Sequence, residues 1–558
     1  MDAHPIIAQL APSDEQRPAA LARGKDVAVT AGAGAGKTRT LVARYLSFVA
    51  EGVPLRSIVA ITFTKKAARE MRNRVRQEIR RYLEATAAPA SAPQADGELA
   101  SQAPERRAAR DVGVVTERAR WQEAYTQLDA ARIGTIHSLC AEILRRHPAQ
   151  AGVDPRFDML EEGQMALLQA QAVDAALGWA AEDPDAARLF ADFGERGLRQ
   201  VLSSMLTQRL DVADARLGLP DDLWEAWAPH LIAPLRAFLD DAGVQAEFAE
   251  LAALEADGSL IRAEAAGDAL VPDLRSLLHT WHAIDRARQD GDWAAVSRSL
   301  APLRASLKQK GRAANWAPGN PKASIKALQG VYDALLAPLV GDGIDLDVDR
   351  RLAQEVVPAL FRVLDRALAH YEAAKRARQG LDFDDLEWGA LTLLRMHADV
   401  REAWQREVRA LLVDEFQDTN RRQRDLLEAL NGDGGRLFIV GDGKQSIYRF
   451  RGADVSVFRQ EQAAIADKGE RYELATSYRA HRSLIEGLNA LLAPVLGVDD
   501  EPDRPYVQPF APLLAHRDSS VPGLHSPYIE MYLAVGGTAD GGPERAARAL
   551  VARLAELV

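Results

Sequence analysis

An α/β fold built on a buried parallel sheet, interrupted by a long helical insertion, follows from three features of the sequence. Val27–Val29 is a short apolar run that leads into a glycine-rich turn, Ala31–Thr38 (AGAGAGKT), and then a helix-like pattern over Arg39–Phe48. Further apolar runs at Ser57–Phe63, Arg409–Phe416 and Arg436–Val440 read as buried strands that end in polar residues. From about Asp154 to Gln379 the pattern changes to Ala/Leu-rich amphipathic helices with few candidate strands. The expected layout is a sheet domain in two pieces, residues 1–153 and 380–472, with a helical domain inserted over 154–379. Residues 473–558 are expected to begin a further α/β domain.

At 558 residues the chain is too long for one core and should divide into about three or four domains. Its hydrophobic content of 47% and charged content of 27% suit a soluble globular protein. The net charge of −11 excludes a global basic field, although a local basic groove would suffice for nucleic acid. Cys140, the only cysteine, excludes an intramolecular disulfide and a Cys₄ zinc site; it fits a reducing compartment and reads as a small apolar filler. The N-terminal stretch has neither a basic n-region nor a long apolar core. With no apolar run near the roughly 20 residues that span a bilayer, a cytoplasmic protein without a membrane partner is expected.

The glycine-rich turn has the context of a phosphate-binding loop: strand, loop, helix N-terminus. Gly32, Gly34 and Gly36, alternating with Ala31, Ala33 and Ala35, allow successive N–H groups to turn inward around phosphate oxygens. The helix that follows adds its positive dipole end. Lys37 would reach the β- and γ-phosphates, and the Thr38 hydroxyl would hold Mg²⁺. Upstream, after the helix N-cap Ser13, Gln16 carries an amide able to pair with a donor and an acceptor on an adenine edge.

The second apolar run opens a basic helix, Thr64–Arg81, where Thr64, Lys65 and Lys66 are the better candidates for backbone phosphates. Glu84–Arg110, rich in Ala, Pro, Gln and Ser, reads as a mobile surface insertion. A third strand-to-helix junction lies in Ala131–His147, with Thr135, His137 and Ser138 at its turn; alone, such a histidine is a hydrogen-bonded structural residue. In the helical insertion the tryptophans read as core. Around Trp316, however, Lys308, Lys310, Arg312, Lys322 and Lys326 lie in a Gly/Pro-broken loop that could form a nucleic-acid arm or a merely solvated loop. Asp382, Asp384 and Asp385 suit the start of a helix and its dipole, not a metal nuclease.

The Arg409–Phe416 strand ends in adjacent carboxylates, Asp414 and Glu415, the pair needed opposite a phosphate loop: one for Mg²⁺, one to orient or deprotonate water. Gln445 follows the next strand, where a neutral side chain could sense a γ-phosphate. Tyr448, Arg449, Phe450 and Arg451 mix rings and guanidinium groups as a single-strand grip would. Tyr478 could stack on a base, and Arg479 could stabilise transition-state charge.

In this order AGAGAGKT, TFTKKAAREM, GTIHSL, VDEFQDTN, GDGKQSIYRFRGAD and TSYR resemble the successive motifs of UvrD/Rep-type superfamily-one DNA helicases. Ala31 in place of a glycine is usual there, and KQSIYRFRGAD is closer to the RecB/AddA branch. The resemblance implies two RecA-like domains with ATP and Mg²⁺ between them, and 3′→5′ stepping along single-stranded DNA or from ss/dsDNA junctions. A nuclease or helicase partner subunit is also implied. Carried over, Gln16, Arg39 and Tyr478 would contact adenine; Lys37, Gln445 and Arg479 the phosphates; Asp414 and Glu415 the Mg²⁺ and water. Thr64, Thr135, His137, Tyr448, Phe450 and Arg451 would line the DNA track. The resemblance fades after Arg479, and the late motifs are not found in Ala480–Val558, which implies an N-terminal portion. The alternative is a nucleotide- and DNA-binding or partner-binding module that does not hydrolyse.

Overall fold

The computed structural model describes residues 4–86, 104–317, 319–340, 345–449, 452–501, 503–523, 526, 528–531, 533, 535–537 and 541–557. The chain forms two compact units, one from residues 1–159 with 381–558, the other from 160–380. The Ala/Pro-rich segment 87–103 lies outside the described residues, and a helix runs from Pro104 to Gln127.

The first unit is a parallel sheet of six strands: β1 (Val27–Ala31), β2 (Ile58–Ile61), β3 (Ile133–Gly134), β4 (Ala410–Val413), β5 (Leu437–Gly441) and β6 (Glu470–Leu474). Their spatial order is β3-β2-β4-β5-β1-β6. The strand β6 spans the boundary expected at 472/473. In the register, Val29 faces Val440 and Val413 faces both Ile439 and Ile61, so the strands end nearly level.

Alternation explains how the runs are buried on both faces. Val27, Val29, Ala60, Leu412 and Phe438 point into one core with helices α2 (Lys37–Ala50), α3 (Lys65–Ala85) and α4 (Pro104–Gln127); α1 (Gln16–Leu21) packs on α2. Ala28, Val59, Leu411, Val413 and Ile439 point into the other. Four helices cover that second face: α5 (Ile136–Arg146), α6 (Phe383–Met396), α7 (Arg421–Asn431) and α8 (Val455–Lys468). Cys140 is buried there, its thiol pushed up first by burial and then by Glu387. Beyond β6, β7 (Thr476–His481) pairs in parallel with β8 (Leu514–Arg517).

The second unit is helical among its described residues and has two cores. Helices Glu162–Glu182, Arg188–Thr207 and Val357–Ala377 enclose Leu168, Leu198, Leu202, Val363 and Tyr371. A second cluster spans Leu235 to Leu346 and includes Trp316. Asp222, Asp241, Asp292, Asn320 and Asp345 cap its helices, which is why so many polar residues punctuate this stretch.

Trp316 corrects the surface-arm alternative. Its ring is 0% exposed, so no base can stack on it. The loop folds inward because Asp268 accepts hydrogen bonds from the Arg312 N–H and Asn315 Nδ2, both at 2.8 Å, and from the Leu270 N–H at 3.0 Å. Lys308 and Lys310 pair with Asp273, each at 3.3 Å, while Lys322 donates to the Gly311 carbonyl at 2.7 Å. Those lysines are held by the fold.

Burial would raise the Asp268 pKa, but the donors outweigh it and hold the group below the usual aspartate range. Its contribution is therefore complete above the unfolded pKa and is lost as pH falls through the folded one. Asp268→Asn should destabilise the helical unit by roughly 1–3 kcal/mol and flatten the acid limb of its stability. Melting curves between neutral pH and about pH 3 check this.

Candidate nucleotide and DNA site

Every site residue described here follows the carboxyl end of a parallel strand or packs beside one, the position at which α/β sheets bind ligands. After β1 the loop closes into α2 with Gly34 and Gly36 at φ of 76° and 88°, a left-handed backbone that glycine adopts without strain. A Cβ on Gly34 would stand 2.7 Å from the Arg479 Cβ and 2.8 Å from the Ser477 Oγ. The Tyr478 N–H donates to the Gly34 carbonyl at 3.0 Å. Thus β7 lies directly against the phosphate loop and brings Tyr478 and exposed Arg479 with it. The Tyr478 ring packs against His516 with centroids 4.6 Å apart.

The decisive contact joins two distant motifs. Lys37 Nζ lies 2.8 Å from Glu415 Oε2, 378 positions along the chain. Glu415 sits at φ 52°, a left-handed backbone rare for a residue with a side chain, immediately after β4. Phe416 is drawn into the core next to Phe458 and turns the chain at this point. Asp414 is anchored by its N–H to the Ile61 carbonyl of β2 at 2.9 Å, and its Oδ1 accepts from the Glu415 N–H at 3.1 Å. Burial, then the neighbouring Glu415 charge, pushes Asp414 up to about 6, while Lys37 pulls it down. A carboxylate in that condition is stabilised by a cation. Among the described residues no three His, Cys, Asp or Glu side chains converge as a metal cage. Mg²⁺, which takes few protein ligands and keeps phosphates and water, fits such a sparse set.

Three residues that sequence reasoning passed over complete this centre. Gln417 Nε2 donates to Glu415 Oε2 at 3.0 Å, and its Oε1 accepts from the Asp442 N–H at 3.0 Å. Asp442 Oδ2 in turn accepts from Gln445 Nε2 at 2.8 Å, so Gln445 is linked to Glu415 through two side chains. Asp418 is buried with one unpartnered carboxylate oxygen; burial, then Glu415, pushes it up to about 7 against Lys37. All three lie within or beside quoted motifs, but only packing gives them these partners.

The adenine candidates are placed differently from one another. Gln16 is buried, donating to the Ala35 carbonyl at 2.9 Å and accepting from the Ser13 N–H at 3.2 Å. Its helix is fastened by Arg44, which donates to the Ala19 and Ala22 carbonyls from above the Phe438 ring. Burial brings Arg44 down to about 9. Arg39 is exposed and donates to the Leu10 and Ala11 carbonyls. Thr38 is part-exposed at the start of α2.

At the ends of β2 and β3, Thr64 and Thr135 are helix N-caps, accepting from Ala67 at 3.0 Å and Ser138 at 3.4 Å, and Lys65 is exposed. Tyr448 packs on Phe63 with centroids 4.5 Å apart, making an aromatic pair of which Phe63 had gone unremarked. His137 Nε2 pairs with Glu387 Oε1 at 2.9 Å. Phe450 and Arg451 lie outside the described residues.

A family model described as the UvrD/REP helicase N-terminal domain matches residues 12–222 and 356–466. The chain belongs to the UvrD/REP helicase family. Three similar proteins are each named as the larger-lettered half of an enzyme pair, the "A" component of an ATP-dependent helicase/nuclease. That of Limosilactobacillus fermentum is 28% identical over 92% of this chain and 39% of the relative. The Pelotomaculum thermopropionicum relative is 28% identical over 86% of this chain and 38% of its own length. The Staphylococcus aureus relative is 26% identical, with 86% and 39% covered. The chain thus spans about two fifths of these curated relatives. No helix among the described residues is long and apolar enough to cross a membrane.

Two outcomes are expected of this UvrD/REP-family site. Gly34→Ala, which drives a Cβ into β7, should weaken binding of a fluorescent ATP analogue at least about tenfold. If ionised Asp414 assists the cation, Mg²⁺-dependent analogue binding should fall about tenfold per pH unit below about 6 and level off above it. Asp414→Asn should abolish that pH dependence in the same titration.

Proposed function

We propose that this chain carries the nucleotide- and DNA-binding machinery of an ATP-dependent DNA helicase that steps 3′→5′ along single-stranded DNA during repair or recombination. The reading rests on one observation above all: the 2.8 Å contact between Lys37 and Glu415, which brings the phosphate-loop lysine to the strand-end carboxylates. A triphosphate competes with Glu415 for Lys37. Once released, Glu415, held by Gln417, orients and deprotonates the attacking water. Thr38 and Asp414 hold Mg²⁺, which screens the phosphate charge when bound. Arg479, carried beside Gly34 by β7, faces the transferred phosphoryl group, and Tyr478 and Gln16 lie by the base.

For nucleic acid, Phe63 and Tyr448 offer a stacking pair; Thr64, Lys65, Thr135 and His137 extend the track along the same sheet end. Relatives named as components of a helicase/nuclease favour work at ss/dsDNA junctions beside a second helicase or nuclease chain.

Lys37→Ala should weaken ATP-analogue binding at least about tenfold. Glu415→Gln should retain binding and lower DNA-stimulated hydrolysis by roughly 10² or more, the scale of a lost general base. Isothermal titration and a phosphate-release assay check both; unchanged binding and hydrolysis in the two variants would overturn the assignment.

A further inference from the structure

Glu387 is a buried carboxylate, 5% exposed, on the first turns of α6 and outside every contact to nucleotide described above. It is nonetheless one of the most heavily hydrogen-bonded side chains of the unit. Oε1 accepts from His137 Nε2 at 2.9 Å and from Gln423 Nε2 at 2.5 Å; Oε2 accepts from Asn420 Nδ2 at 3.0 Å. Burial alone would raise its pKa, but His137, Gln423 and Asn420 outweigh burial and hold it below the usual glutamate range. The group is therefore a charge in the interior that depends on all three donors.

Those donors come from two functionally different places. His137 stands at the head of α5 after β3, its side chain 25% exposed and its ring 4.5 Å from Phe383. Asn420 and Gln423 belong to the segment that leaves Glu415: Asn420 caps α7 by accepting from the Gln423 N–H at 2.8 Å. The same segment is held on its other side, where Ser446 Oγ donates to the Gln417 carbonyl at 3.0 Å and the Asp454 N–H to the Thr419 carbonyl at 3.2 Å. A displacement of Glu415 when Lys37 is drawn to phosphate must thus be taken up in a short, doubly tethered segment that ends on Glu387.

We propose that Glu387 is a positioning residue that couples the nucleotide site to the DNA track by tying the orientation of His137 to the segment following Glu415. The proposal rests on the DNA reading above. Because the ionised carboxylate only accepts, Nε2 carries the proton, and the ring cannot turn without leaving an interior charge short of a donor. An apolar residue of similar volume at 387 would still fill the site but would free His137 from Asn420. The link is physical and contiguous, and coupling through it is measurable as a ratio of affinities.

The test uses the 558-residue chain, a fluorescein-labelled oligo(dT) and a non-hydrolysable ATP analogue with Mg²⁺. Anisotropy gives the DNA Kd with and without analogue. The unsubstituted chain is expected to change its DNA Kd at least about fivefold on adding analogue. Glu387→Leu should bring that ratio to within about twofold of unity, while analogue affinity measured without DNA stays within about twofold. Asn420→Ala should reduce the ratio in the same direction, and the Glu387→Leu/Asn420→Ala double variant should lose no more coupling than Glu387→Leu alone, since one path is cut twice. Should Glu387→Leu fail to fold, Asn420→Ala and Glu387→Gln carry the same comparison. A ratio preserved in all these variants, or a DNA Kd of the unsubstituted chain indifferent to the analogue, overturns the coupling role and leaves the DNA reading standing. No DNA binding by the unsubstituted chain overturns that reading and the coupling with it.

Discussion

The pairing of Lys37 with Glu415 is possible only because β1 and β4 belong to one parallel sheet and finish at the same level. One strand, β5, separates them, and their facing residues, Val29 with Val440 and Val413 with Ile439, fix the offset. A slip of one residue in either pairing would turn each strand's buried set to the opposite face and carry the end groups away. Register, enforced by two apolar faces, is what makes a catalytic distance out of residues hundreds of positions apart.

Around that pair the structure concentrates unfavourable features. Glu415 has a left-handed backbone, Asp414 and Asp418 are carboxyls raised by burial and by the nearby Glu415 charge, and Asp418 keeps an oxygen without a partner. Such groups persist because Phe416, Gln417 and the strand anchor at Ile61 hold the segment from several sides. Strain and raised carboxyl pKa values gathered at one strand end are the usual marks of a site arranged for a cation and a charged substrate.

The helical unit illustrates a different economy of charge. Its basic loop near Trp316 has the composition of a nucleic-acid arm, yet Asp268 and Asp273 take up its backbone donors and two of its lysines. Composition alone does not distinguish a lysine offered to a phosphate from one spent on a nearby aspartate. Asp268 precedes the loop by more than forty positions, so no local pattern announces the partner.

The linear sequence determined the parts whose physics is local. Apolar runs of strand length, glycines at the phosphate loop, capping residues at Thr64, Thr135 and Asp382, and the carboxylates closing the Arg409–Phe416 run were all legible, because each depends on neighbours within a few residues. What required tertiary structure were the partners: Gln417 bridging Glu415 to Asp442, Phe63 beneath Tyr448, β7 pressed on Gly34, and Glu387 receiving His137, Asn420 and Gln423. The sixth strand, β6, and the inward fold of the Trp316 loop belong to the same class. Hydrogen bonds and ring contacts are short-ranged in space but indifferent to separation along the chain, so only the packed sheet and helices decide which groups meet.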